Sequence, residues 1–338
     1  MLVSVDGGGL CTENNNRFGN FIFSKNLIEA LGKFDKQHQY LIYSFCDKAK
    51  ELHLSSNVSY KKILPRRLWL SGRLSVEELF SKKDIFLALN QAVPFTRSKK
   101  IAFSHGLSFL FYKDLYKNSY DRLTKQLNQM ISKADEIIVS SAKVAEEFNS
   151  FFPAFKPIII PYGIPFDYLS PNNQSSIKIK DNFFMFAGIN HSIKNIKFIV
   201  DAFKVFKSKK KYSNYSLYLV GEFKEFESPK EKIFSLGYLE RNELKKMYSK
   251  ASGYLAASLY ESFNLPVLEA LANGCQVIGL EAAVVPELRK YVHQANNFDA
   301  FLQAMNNVAQ GKIKAIDFEK LQKEFSWKNY VEQLINLY

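Results

Sequence analysis

The chain has 338 residues, 47% hydrophobic and 23% charged, the composition of an ordinary globular protein of about two domains. It holds no run of about 18 apolar residues, which excludes a membrane-spanning helix, and its start, MLVSVDGGGL, lacks the basic and long apolar parts of a secretory signal. The formal net charge of +13 favours anionic partners: phosphates, nucleic acid or lipid headgroups.

From end to end, short β-rich runs alternate with helix-like stretches, the pattern of an α/β protein with parallel sheets. Strands are expected at 1–5, 40–45, 84–89, 101–104, 136–141 and 156–161, then at 182–188, 216–221, 233–237, 253–258 and 275–280. Helices are expected at 26–34, 142–151, 195–207 and 240–251. The run PYGIPFDYLSPNNQSS, 161–176, is rich in Pro, Gly, Asn and Ser and marks a boundary near residue 170. Two doubly wound domains follow, and ligands of such sheets bind beyond the carboxyl ends of the strands. Cys11, Cys46 and Cys275 show no metal or redox spacing, so they are expected as thiols of a cytoplasmic protein.

Between Lys61 and Lys100, ten Lys or Arg stand against Glu77, Glu78 and Asp84, a local +7. The segment RRLWLSGRLSVEELF mixes these cations with bulky apolar residues and would suit peripheral contact with an anionic membrane. The GGG run at 7–9 is not a dinucleotide fingerprint.

ESFNLPVLEA, 261–270, sets Glu261 and Glu269 around Pro266. Pro266 suits the first position of a helix, and Gly274 ends it. Glu261 then lies in the preceding loop and Glu269 in the first turn, beside N–H groups at 263–267 that would receive an anion. Taken alone, this reads first as an ordinary proline-started helix.

The longer block ASGYLAASLYESFNLPVLEALANGCQVIGLEAAVVPEL, 251–288, resembles the donor-binding core of family 4 glycosyltransferases, with Ser258, Glu261, Phe263, Leu265, Pro266, Glu269 and Gly274 on the family pattern. RFGNFIFSKNLIEAL (17–31), SHGLSFL (104–110), VSSAKVAEEF (139–148), GINHSIKNIKFIVDAFKVF (188–206) and FSWKNYVEQLINLY (325–338) resemble its other segments in order, so the likeness spans essentially the whole chain. It implies the GT-B fold: two doubly wound Rossmann-like domains facing across a cleft. An acceptor-side domain would run over 1–168, with 325–338 packing back on it, and a nucleotide-sugar-binding domain over 169–324.

The resemblance also implies roles. Glu261, His105 and Lys194 would be catalytic: Glu261 facing the transferred sugar, His105 near the reacting centre, and Lys194 on the departing diphosphate. Gly19, Gly188, Asn190, Lys194, Tyr238, Glu261, Phe263, Asn264, Leu265 and Glu269 would bind the donor, with Glu269 on the ribose and Tyr238 by the base. Departures from the family pattern are Ser262 and Asn264 at two glycines, Ile189 and Ile193 where an arginine is common, and Gly106 after the histidine in place of an acid. No metal and no cofactor are expected, because the leaving group would be met by side chains and a helix end.

The expected activity is retaining transfer of a hexose-type sugar from a UDP or GDP sugar to a saccharide, glycan or lipid-linked acceptor. A nucleotide-sugar epimerase or phosphorylase of the same fold, and a basic nucleic-acid- or membrane-binding protein, are the alternatives. Nucleic acid is not an expected partner, since no motif with interleaved aromatics is visible.

Overall fold

The computed structural model describes residues 1–11, 19–169 and 180–338. Arg17 and Phe18 of the first quoted loop, and the part of the boundary segment from 170 to 176, lie outside the described residues. The chain divides into two compact units, Met1–Gly163 with Phe325–Tyr338, and Ile164–Glu324.

The first unit carries strands β1 (Leu2–Asp6), β2 (Gln39–Ser44), β3 (Val58–Lys62), β4 (Ile85–Ala88), β5 (Lys99–Ser104), β6 (Glu136–Val139) and β7 (Ile158–Ile159). The second carries β8 (Asp181–Ala187), β9 (Ser216–Val220), β10 (Ile233–Ser235), β11 (Ala251–Ala256), β12 (Gln276–Leu280) and β13 (His293–Ala295). The helices of the first unit are α1 (Gly19–Phe34), α2 (Ser75–Phe80), α3 (Ser108–Phe111), α4 (Tyr120–Lys133) and α5 (Ala142–Phe151). Those of the second are α6 (Ile196–Lys207), α7 (Arg241–Lys250), α8 (Leu265–Ala272), α9 (Phe298–Ala309) and α10 (Phe318–Glu324). The last, α11 (Trp327–Ile335), returns to the first unit.

Every strand pairing in the two sheets is parallel, in the orders β3-β2-β1-β4-β5-β6-β7 and β10-β9-β8-β11-β12-β13. Such sheets are covered on both faces, so their central strands are apolar throughout. All four residues of β4 and all six of β11 are buried. α6 meets its sheet through Ile196, Ile199, Val200, Phe203 and Phe206, the spacing of one helix face.

Both orders read outward from a central strand and then reverse, as in a Rossmann fold. The reversal falls between β1 and β4 in one unit and between β8 and β11 in the other. Ligands of open parallel sheets bind outside the strand ends at such a point, so the loops after β8 and β11 are the first place to look.

Candidate active site

After β8 the chain runs through Gly188 and Asn190 into a short turn, Ser192–Lys194. Asn195 follows at φ +53° and opens α6. After β11 it passes Ser258 and Glu261 before α8. The two loops are joined: the Leu259 N–H donates to the Ile193 carbonyl at 2.8 Å, and Asn195 Nδ2 to the Ala257 carbonyl at 3.1 Å. Lys194 Nζ reaches Glu261 Oε1 at 2.7 Å, and the Ser258 hydroxyl donates to the same oxygen at 2.7 Å. Glu261 is buried, at 9% exposure. A cation and a carboxylate from opposite sides of the strand reversal thus meet in one place. Gly221 lines the neighbouring strand end at φ +132°, where a Cβ would lie 2.3 Å from the Gly188 carbonyl.

Asn264, expected where the family has glycine, adopts φ +67°. Asparagine is among the few residues other than glycine that enter the left-handed region readily. Its Nδ2 donates to the Ala283 carbonyl at 2.8 Å, so the side chain also braces the loop. α8 begins at Leu265 with Pro266 second. The Val267 N–H is taken by the Asn264 carbonyl at 3.0 Å, and Pro266 has none. Val267 is thus spoken for, so fewer backbone donors stand at this end than the run to Val267 that the sequence suggests.

Glu269 differs from expectation too. It lies one turn into α8 rather than in the first turn, and is buried at 4% exposure. Arg241 Nη1, from the start of α7, donates to Glu269 Oε1 at 3.0 Å, and Tyr248 Oη to Oε2 at 3.4 Å. Burial lifts the Glu269 carboxyl above its ordinary 4.5, and the Arg241 charge opposes that lift. Arg241 also reaches Asp167 through Nε at 3.4 Å, and its guanidinium lies over the Tyr168 ring at 4.7 Å. Sequence reasoning missed Arg241. One signal was there: a cation at the first position of a helix opposes the helix dipole, so it stands there for another reason.

The other expected donor contacts divide. Asn190 is exposed and donates to Glu225 at 2.6 Å. Tyr238 is exposed after Gly237, itself at φ +64°. The Phe263 side chain is in the core at 1% exposure, so that position packs the loop. Ile193, where an arginine is common in the family, is likewise a core residue. His191, which the sequence did not single out, accepts the Ile193 N–H through Nδ1 at 3.1 Å, and burial with the nearby Lys194 charge pushes its pKa down.

In the first unit, His105 follows β5. Its Nε2 bonds the Leu89 carbonyl at 2.7 Å and its Nδ1 the Tyr162 hydroxyl at 2.9 Å. A carbonyl only accepts, so Nε2 carries the proton, and a neutral ring then accepts the Tyr162 hydroxyl at Nδ1. Packing around the imidazole keeps its pKa below 6.5. Gly106, where the family has an acid, sits at φ +102°, a conformation that a side chain would strain. Gly19 is exposed at the first position of α1. Asp6 and Asn90, at the ends of β1 and β4, bond each other at 3.0 Å.

The cysteine expectation is corrected. Cys11 and Cys46 form a disulfide, with Cα atoms 5.6 Å apart, because β1 and β2 are neighbours and both residues lie just past their carboxyl ends. Cysteine usage therefore no longer points to a reducing compartment. Cys275 is a buried thiol, pushed up to about 12 by burial.

Residues 180–311 match the family described as Glycosyl transferases group 1. The O-antigen chain mannosyltransferase B of Escherichia coli is 22% identical over 309 residues, 83% of this chain and 79% of that protein. RfbU, the O-antigen chain mannosyltransferase of Salmonella typhimurium, is 23% identical over 232 residues, 65% of this chain and 62% of that protein. Among solved structures, the sucrose-phosphate synthase of Thermosynechococcus elongatus aligns with a TM-score of 0.72 at 16% identity, covering 100% of this chain and 98% of that one. WaaG, a glycosyltransferase of lipopolysaccharide biosynthesis, aligns at 0.67 and 12% identity, covering 99% and 95%. With Glu261 and Glu269 in place after β11 and two Rossmann-like parallel sheets, the chain has the GT-B fold, and its second unit is similar to the group 1 glycosyl transferases, which supports a glycosyltransferase activity.

Proposed function

We propose that the chain is a retaining hexosyltransferase that takes its sugar from a nucleotide diphosphate donor held by the second unit. The acceptor, a saccharide, glycan or lipid-linked sugar, would be received by the first. The observation that carries this reading is the meeting of Lys194 and Glu261 at the strand reversal, beside the first turn of α8. A departing diphosphate needs positive charge, and a sugar losing it gains oxocarbenium character that a carboxylate stabilises. Lys194 would exchange Glu261 for the diphosphate, leaving the carboxylate, held by Ser258, for the sugar. The Asn264 and Leu265 N–H groups add backbone donors, and Glu269 takes the ribose. His105 enters through Nδ1, which would exchange the Tyr162 hydroxyl for one on a sugar. No metal has a part in this reading, since Lys194 and the helix end carry the leaving-group charge.

Hexose as the cargo is supported by the names of the relatives, two of them mannosyltransferases, and by a structural neighbour, the E. coli trehalose-6-phosphate protein (TM-score 0.67, 12% identity), described as bound with UDP-2-fluoro glucose. The test is a thermal-shift panel of UDP and GDP hexoses, followed by transfer assays with chelator present. A stabilising donor should appear, because binding to the folded state alone raises its melting temperature. Lys194→Ala and Glu261→Gln should lower turnover by about 10²–10³ while folding persists. Retention predicts that NMR of the product shows the donor's anomeric configuration. Wild-type turnover in both variants, or an inverted product, would defeat these assignments.

Peripheral contact with an anionic membrane belongs to the same proposal. A π-helical turn, Trp69–Leu74, leads straight into α2, where Val76, Leu79 and Phe80 share an exposed face, Phe80 at 89%. Phe95, also exposed, is held near the start of α2 by its N–H on Ser75 Oγ at 2.9 Å. Arg66, Arg67, Lys82 and Arg97 are exposed in the same stretch of chain, with Asp84 the exposed acid, whereas Glu77 is paired to Lys61 and Arg73 and Glu78 is buried. Exposed apolar side chains in a cation-rich stretch fit anionic headgroups. Among the described residues no helix is long and apolar enough to cross a membrane. Sedimentation with phosphatidylglycerol vesicles, but not phosphatidylcholine ones, is expected, and Leu79→Ser with Phe80→Ser should abolish it. Equal binding to both lipids would refute the contact.

A further inference from the structure

The ribose carboxylate of the proposed donor site is not alone. Glu269 is met by Arg241 and Tyr248 from α7 and by Tyr168 from the turn Phe166–Tyr168, and Asp167 of that turn holds Arg241 in turn. Arg241 is held on three sides: Nη1 on Glu269, Nε on Asp167, and the guanidinium plane over Tyr168. Its remaining nitrogen, Nη2, is buried and has no hydrogen-bond partner among the described residues. A buried guanidinium N–H without an acceptor is costly, and here it sits one atom from the nitrogen that holds Glu269.

We propose that Arg241 is the positioning residue for ribose recognition, fixing the Glu269 carboxylate against a cis-diol and offering Nη2 to the oxygen of one of its hydroxyls. This rests on the nucleotide-donor reading given above. A carboxylate accepts from both hydroxyls, and a guanidinium donates back to one of them. The pair therefore reads a ribose as an acceptor–donor set, which a deoxyribose satisfies only in part. Loss of one partner leaves the other buried and unpaired, the situation in which discrimination between hydroxyl and hydrogen is greatest.

Arg241 also acts on the charge of the buried Glu269 carboxyl. Burial favours the protonated carboxyl and the adjacent cation opposes it. Lysine at this place would keep the charge and lose the fork that reaches two partners at once.

The test is calorimetric titration of the full chain with UDP, GDP and their 2′-deoxy and 3′-deoxy forms, for wild type, Arg241→Ala, Arg241→Lys and Glu269→Gln. Wild type should prefer a ribonucleotide by about tenfold or more, the scale of one hydrogen bond to a charged group. Arg241→Ala should lose about that factor for the ribonucleotide and under about threefold for the deoxy forms, so that the preference collapses. Its ribonucleotide affinity should recover as pH rises, since Glu269 then needs a higher pH to ionise, while Arg241→Lys stays flat with pH and discriminates poorly. In transfer assays the donor KM should rise in Arg241→Ala with kcat within about threefold, the signature of binding lost equally from ground and transition states. If Arg241→Ala keeps the wild-type preference, or weakens ribo and deoxy forms alike, the inference is wrong. The same holds if wild type binds both forms equally, and the donor reading then survives. Wild type binding no nucleoside diphosphate at all would bring down the donor reading and this inference with it. Circular dichroism of each variant separates these results from misfolding.

Discussion

Asn264 holds a backbone conformation that costs most L residues about 1–2 kcal/mol. Asn264→Gly should therefore keep the fold and lose only the brace to Ala283, with transfer within a few-fold of wild type. Asn264→Val should lose about 1–2 kcal/mol or more in chemical denaturation, because a β-branched residue resists this region. His105 makes a pH prediction. Its folded pKa lies below the ordinary 6.5 of an unfolded chain, so the unfolded state takes up the proton first. Stability on this account is full above about 6.5 and falls as pH drops below it, by at most about 1.4 kcal/mol per pH unit. Denaturation of His105→Gln between about pH 7.5 and 5.5 should show a correspondingly flatter decline. An unchanged slope would remove His105 as the cause. Glu261 and Lys194 were legible in the sequence because each sits inside a local motif. Arg241 was not, because its value arises only when α7 and the turn at Phe166–Tyr168 close on Glu269.

The elements recovered from sequence are those whose burial leaves a pattern. β8, β11 and β12 are nearly continuous apolar runs, and α6 has a clear helical period. β3 and β13 escaped notice for the opposite reason. Each lies at a sheet edge, and VSYKK and HQA expose much of their length, so neither shows the apolar run of an inner strand. Lysines on β3 also suit an edge that must not pair with another chain. α1 proved longer than its predicted 26–34, since Phe23 in its early part packs against Phe103, Tyr162 and Trp327, all distant in sequence. α11 was visible as a final helix. Its Trp327 ring lies 6.1 Å from Phe23 of α1 and 5.2 Å from Tyr330, with Gly163 so close that a Cβ there would meet the indole at 2.6 Å. Trp327→Ala should cost the first unit about 3–5 kcal/mol, measurable as a lower denaturant midpoint.

At the scale of the molecule, two doubly wound parallel sheets were implied by the alternation of strands and helices, but the Cys11–Cys46 bond was not. Thirty-five residues separate the two cysteines, and only the pairing of β1 with β2 brings them together. Alkylation of the unreduced, denatured chain should label Cys275 alone, and all three cysteines only after reduction; mass spectrometry distinguishes the two outcomes. The first unit, moreover, is assembled from both sides of the second, Met1–Gly163 and Phe325–Tyr338. That arrangement imposes an order on biosynthesis. While the chain is still emerging from the ribosome, the continuous stretch Ile164–Glu324 can close its own sheet, whereas the earlier-made unit must wait with the Phe23 side of α1 uncovered until Trp327 and Tyr330 arrive. The portion synthesised first is thus completed last, and the interval between is when a nascent chain most needs a chaperone.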